Sequence, residues 1–287
     1  MRTTPVTATL PRQALLPMLW LMPALATSPC PAQASADPAA LPFAARTVTT
    51  PTGTFGYQIF VPAHWNGRRP VAVILFLHGS GERGDDNRAQ TKNGIRLLIA
   101  QDPDGFPALV VCPQCRDHRR WTDPDMEAMA LQALDQSVKE FNGDPGRVYL
   151  TGLSLGGYGT WDLAQRFPER WAAIAPCCGG IVYPRRSGTD PPKDAPPAAP
   201  PPADPYFPVA QKVARLPAWV FHGGADPTVP VSESRQMAAL LFSLKAGLKD
   251  SGDLKYTEYP GVGHNSWDYA YKEPGLLPWF LSHKRRR

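Results

Sequence analysis

The sequence carries little charge for its length: 19% of its 287 residues are Asp, Glu, Lys or Arg, against 43% hydrophobic. Its basic excess is small too. Of 30 Lys and Arg, Arg2 and Arg12 fall in a leader described below, which leaves 28 against 25 acidic residues, a net +3. Much of that excess sits in the terminal Lys284-Arg285-Arg286-Arg287, which reads as a solvated tail, so no nucleic-acid partner is implied. Cysteine is scarce, with five in the chain. Cys112-x-x-Cys115 stands without a second Cys or His pair, which argues against zinc. There is no internal repeat, which excludes a solenoid array. Beyond residue 36 no apolar run approaches the roughly 20 residues of a membrane span.

The first stretch has the order of a secretory signal. Arg2 and Arg12 precede an apolar run from Ala14 to Ala26, and Ala32-Gln33-Ala34 and Ala34-Ser35-Ala36 offer small-x-small cleavage sites. The run is short for a span and contains Pro17 and Pro23, so cleavage is expected rather than anchoring. This reading gives a signal peptide over 1–36 and one domain over 37–287, secreted or periplasmic. Cys30 leaves with the leader. Cys112, Cys115, Cys177 and Cys178 remain, an even number in a compartment that permits disulfides, with no pairing readable from spacing.

Short alternating segments at Phe43 to Thr49 and Phe55 to Val61 predict an antiparallel edge pair. The continuous run Val71–Leu77 predicts a strand buried on both faces. Further strands are expected at Ala108 to Cys112, Arg147 to Thr151, Trp171 to Ala175, Ala218 to His222 and Leu254 to Tyr259. Helical patterns lie between them, clearest from Asp125 to Phe141, with Pro124 at its first turn and Asn142-Gly143 past its end, and again after Ser232. Strands alternating with helices give an α/β fold, a mostly parallel central sheet with helices on both faces. Sites in such sheets form beyond the carboxyl ends of the strands. The segment 183–208 is crowded with Pro and Ala and has neither apolar period, so it reads as an inserted solvated loop, with a lid as the alternative.

Gly152-Leu153-Ser154-Leu155-Gly156 follows a predicted strand and opens a predicted helix, the context of a nucleophile elbow. Serine needs a base to act at neutral pH, and His264, in a loop after the last strand, is placed to serve. Asp226, right after the strand Ala218 to His222, is placed to orient it; Glu233 and Asp253 are weaker choices because they fall in or beside helical sequence. The order Ser, Asp, His is the one this elbow uses. The amide of Leu155 at the helix head and that of Ser80, in Leu77-His78-Gly79-Ser80-Gly81, are the expected oxyanion donors, with Gly81 as an alternative. His222 reads as structural. The following Glu82-Arg83-Gly84-Asp85-Asp86-Asn87 reads as a loop held by ion pairs and hydrogen bonds rather than a metal site. No metal or cofactor is required.

These residues, with Thr151 to Trp161 and Gly261-Val262-Gly263-His264-Asn265-Ser266-Trp267, resemble secreted α/β-hydrolase serine esterases of the broad dienelactone-hydrolase, feruloyl-esterase and polyhydroxybutyrate-depolymerase-like group. The resemblance runs from about Phe55 to the carboxyl end. Dienelactone hydrolases proper carry a cysteine nucleophile where this chain has Ser154, which favours ordinary carboxylic ester hydrolysis. The resemblance also implies aromatic residues beside the substrate, with Trp121 and Trp267 as candidates. Small-acyl esters, feruloylated or acetylated polysaccharides and aliphatic polyesters all stay open as substrates, with soluble small esters favoured. Two rivals accompany this reading: a prolyl-oligopeptidase-like serine peptidase, which shares elbow and triad order, and a secreted binding module that keeps the fold without turnover.

Overall fold

The computed structural model describes residues 41–183, 204–249 and 251–285. The expected signal peptide, and positions 184–203 of the expected insertion, lie outside the described residues. Strands β1 (Phe43–Thr50) and β2 (Gly53–Phe60) form the antiparallel edge pair that their alternation predicts. Then follow β3 (Val71–Leu77), α1 (Ile95–Ile99), β4 (Ala108–Pro113), α2 (Pro124–Glu140), β5 (Gly143–Leu153), α3 (Leu155–Arg166) and β6 (Ala173–Cys177). The chain continues through α4 (Phe207–Val213), β7 (Ala218–Gly223), α5 (Ser232–Ala246), β8 (Leu254–Tyr259), α6 (Trp267–Ala270) and α7 (Leu276–Ser282).

The eight strands form one sheet in the order β1-β2-β4-β3-β5-β6-β7-β8. β2 pairs antiparallel with β4, and from β4 onward every pairing is parallel. This is the α/β-hydrolase fold. Its central strand shows why the Val71–Leu77 run is continuously apolar. Val73, Leu75 and Leu77 enter one core together with residues of α2, α3, α4 and α5, while Ala72, Ile74 and Phe76 enter a second core with α1, α6 and α7. Alternate side chains point to opposite faces of a strand, so a strand covered on both faces has no polar positions to spare. Each fully buried Leu, Ile or Phe there contributes ~1.5–3 kcal/mol of hydrophobic stabilisation.

Differences from expectation are local. β5 begins at Gly143, several residues before Arg147, and runs to Leu153. β6 begins at Ala173, because Trp171 closes the helical turn Pro168–Arg170 that precedes the strand. The expected loop 183–208 ends in a helix start: the Asp204 carboxylate accepts the N–H groups of Tyr206 and Phe207, and Phe207 and Pro208 are the first residues of α4. At its other end Tyr183 stacks on Tyr158 with ring centroids 4.2 Å apart.

The four thiols are buried and free. Cys112 belongs to one core and Cys115 to the other, so the sheet lies between them and the Cys-x-x-Cys spacing brings about no bridge. Burial pushes the Cys115 thiol up to about 12 and Cys112 higher still. Among the described residues no helix is long and apolar enough to cross a membrane.

Candidate active site

The carboxyl ends of β3, β5 and β7 converge on one place. Ser154 sits between β5 and α3 with φ 52° and ψ −115°, a left-handed conformation that a side-chain-bearing residue adopts only at a cost of about 1–3 kcal/mol. Its neighbours explain how the turn is built. A Cβ on Gly156 would collide with the carbonyl of Leu77, and one on Gly152 with the carbonyl of Gly156. Only glycines let β3, β5 and α3 approach so closely. The Ser154 N–H is tied to the Cys177 carbonyl at 3.0 Å, which anchors the strained residue to β6.

His264 and Asp226 come to this point from the loops after β8 and β7. The Ser154 hydroxyl lies 2.9 Å from His264 Nε2, and His264 Nδ1 lies 2.7 Å from Asp226 Oδ2. With Nδ1–H donating to the carboxylate, Nε2 is left to accept from the serine. The Asp226 side chain is completely buried. Its Oδ1 accepts the backbone N–H groups of Thr228 and Val229 at 2.8 and 2.9 Å, so both oxygens are engaged and the carboxylate is held in one orientation. His222 completes its surroundings, with Nε2 3.3 Å from Asp226 Oδ2. It is fully buried, donates to the Val229 carbonyl at 3.0 Å and accepts from the Ser234 hydroxyl at 2.7 Å, and burial lowers its pKa. The other acids considered from sequence are elsewhere. Glu233 accepts the N–H groups of Ile181 and Val182 and the Tyr206 hydroxyl, and Asp253 accepts Trp279 Nε1–H.

The loop after β3 stands against the serine. The point where a Cβ on Gly79 would sit is 3.6 Å from Ser154 Cβ. Ser80 opens a single helical turn, Ser80–Glu82, and Gly81 borders open space. Leu155 is the first residue of α3, so its N–H has no acceptor within the helix. What holds the loop was not legible in sequence. His78 is buried; its Nδ1–H donates to the Gly79 carbonyl at 2.6 Å and its Nε2 accepts the Cys115 N–H at 3.0 Å. Burial lowers the His78 pKa to about 4, so the ring is neutral.

Trp121 corrects an expectation. It has no exposed surface, packs edge-on against His78 at 5.0 Å and donates its Nε1–H to the His78 carbonyl at 3.0 Å. It buttresses the loop from beneath and presents no face to a substrate. Trp267 is half-buried and meets the His264 ring edge-to-face at 5.3 Å. The loop over 82–87 is held by hydrogen bonds: Asp86 accepts from Arg88 and Ala89 N–H and from Gln114 Nε2, and Arg116 pairs with Asp85.

Comparison with known proteins places this geometry. A family model described as the prolyl oligopeptidase family matches residues 119–274, more than half of the chain. The chain belongs to the prolyl oligopeptidase family. The matched region of this family member includes Ser154, Asp226 and His264. Among curated proteins it is similar to the bifunctional acetylxylan esterase/xylanase XynS20E of Neocallimastix patriciarum, 32% identical over 131 residues. That alignment takes in 44% of this chain and 18% of the relative. It is also similar to poly(3-hydroxyalkanoate) depolymerase C of Paucimonas lemoignei, 38% identical over 55 residues, 19% of this chain and 13% of that protein. Among solved structures, a thermostable esterase is 30% identical with a TM-score of 0.69, over 85% of this chain and 63% of that one. This member of the prolyl oligopeptidase family thus spans less than two thirds of each of these relatives.

Proposed function

We propose that this chain is a serine carboxylesterase, secreted or periplasmic, working through an acyl-enzyme on Ser154. The observation that carries the reading is the unbroken relay from the Ser154 hydroxyl through His264 to a buried, doubly anchored Asp226. In this mechanism Ser154 Oγ attacks the ester carbonyl while His264 Nε2 takes its proton. The imidazolium so formed is stabilised by Asp226 and returns the proton to the departing alkoxide. The amides of Ser80 and Leu155 receive the oxyanion, helped by the positive end of the α3 dipole. Water, deprotonated by the same histidine, then releases the acid. No step calls for a metal or cofactor.

Esters are favoured over peptides because the named relatives include a bifunctional acetylxylan esterase/xylanase and a thermostable esterase. Substrates of the class are soluble small esters or esters carried on polysaccharide, with Trp267 lining the site beside His264. The test is a set of initial rates on p-nitrophenyl acetate, p-nitrophenyl butyrate, methyl ferulate and a prolyl p-nitroanilide. Turnover of the esters with at least ~100-fold lower kcat/KM on the anilide is the expected result. The reverse preference would replace the esterase by a peptidase.

A further inference from the structure

One charged side chain beside the serine has no part in the mechanism above. Glu82 is buried, only 8% exposed, on the same turn as Ser80. Its Oε1 accepts a single hydrogen bond, from the neutral amide of Asn93 at 2.6 Å. The charge of the adjacent Arg83 bears on Cys115 and His78. Among the described residues Glu82 has no ion pair, and its Oε2 accepts no hydrogen bond. That free oxygen stands 3.1 Å from the point a Cβ on Gly79 would occupy, and Ser154 Cβ stands 3.6 Å from the same point.

A carboxylate with one neutral hydrogen-bond partner keeps acceptor capacity on its second oxygen, and that capacity is open to a donor brought by a ligand. It stands on the turn whose first amide, that of Ser80, is proposed to receive the oxyanion, so its negative charge by itself opposes the charge that develops there. A hydrogen-bond donor arriving with the substrate eases that opposition, because it bonds the free oxygen and partly neutralises its field.

We propose that Glu82 is a specificity-determining residue. Its free Oε2 accepts a hydrogen bond from a hydroxyl adjoining the ester, so the site takes esters of sugars and other polyols in preference to alkyl esters. The same charge turns away acyl groups that carry a carboxylate of their own. This assignment rests on the reading of Ser154 as the nucleophile.

Two matched pairs of esters test it: glycerol monobutyrate against propyl butyrate, and p-nitrophenyl hemisuccinate against p-nitrophenyl butyrate. The wild type prefers the polyol ester and the uncharged acyl group. In Glu82→Gln the kcat/KM ratio of monobutyrate to propyl ester falls by about tenfold, the order expected for exchanging a charged for a neutral acceptor. The ratio of hemisuccinate to butyrate rises by a similar factor as the repulsion is removed. Glu82→Asp, which keeps the charge but withdraws the oxygen, loses the polyol preference while still rejecting hemisuccinate. A wild type without either preference overturns the proposal whatever the variants do. So does a Glu82→Gln that slows all four esters equally, as a purely structural role would. Labelling of wild-type Ser154 by a fluorophosphonate separates the two levels: labelled enzyme with unchanged ratios removes only the role of Glu82, whereas unlabelled protein removes the serine-esterase reading beneath it.

Discussion

Two histidine–aspartate pairs stand at opposite ends of the sheet, and the difference between them shows what a site requires. At the carboxyl ends of the strands, His264 and Asp226 are 2.7 Å apart, the acid is sealed from solvent, and a serine in a strained turn completes the line. At the amino ends, His283 and Asp253 are 4.0 Å apart, the acid is nearly half exposed, and the carboxylate is already engaged by Trp279. That second pair lines a cavity of about 590 Å³ together with Lys212, Arg215 and Lys284. Volume and proximity therefore do not make chemistry. Orientation of the acid and a nucleophile within reach do.

The comparison can be broken at several levels. Ser154→Ala is expected to fold with an unchanged thermal midpoint and to lose kcat on p-nitrophenyl butyrate by ~10⁴-fold or more, the scale seen when a triad member is removed; steady-state rates check this. Asp226→Asn is expected to cost ~10³–10⁴ in kcat, because an amide leaves His264 without its anion and favours the wrong tautomer. The same change at Asp253 leaves kcat within about twofold, since that pair has no serine to serve. Comparable losses at the two aspartates would erase the distinction.

A stability effect comes next. His78 has its pKa lowered from 6.5 to about 4 by burial. The unfolded chain therefore binds this proton before the folded one does. Stability is full above the unfolded value and is lost as the pH falls from about 6.5 through about 4, a loss on the order of 3 kcal/mol if the ring acts alone. Urea unfolding at several pH values, compared between wild type and His78→Asn, measures the share due to this ring; a smaller pH dependence in the variant is the expected outcome. The smallest effect is reserved for the other end of the sheet, where His283→Gln changes kcat/KM by less than about twofold.

Much of this was legible in the sequence for a physical reason. A strand covered on both faces must be continuously apolar, as Val71–Leu77 is, and an elbow in which three backbones meet must carry glycine at 152 and 156. The loops bearing Asp226 and His264 follow strands and so emerge at the same edge. The supporting contacts were not legible, because they join residues far apart in the chain. His78 to Cys115, His222 to Asp226, and Trp121 to the His78 carbonyl leave no periodic trace. Trp121 was open to a substrate role for that reason: an aromatic near a strand end reads the same whether it faces a ligand or props a loop from below.

The most direct test of the central claim is covalent labelling with a fluorophosphonate, followed by mass spectrometry of the peptide that contains Ser154. The account predicts one adduct per chain, on Ser154, formed at a rate that falls steeply in Asp226→Asn and is unaffected in Asp253→Asn. Labelling at another residue, or none in protein that is folded, would contradict it.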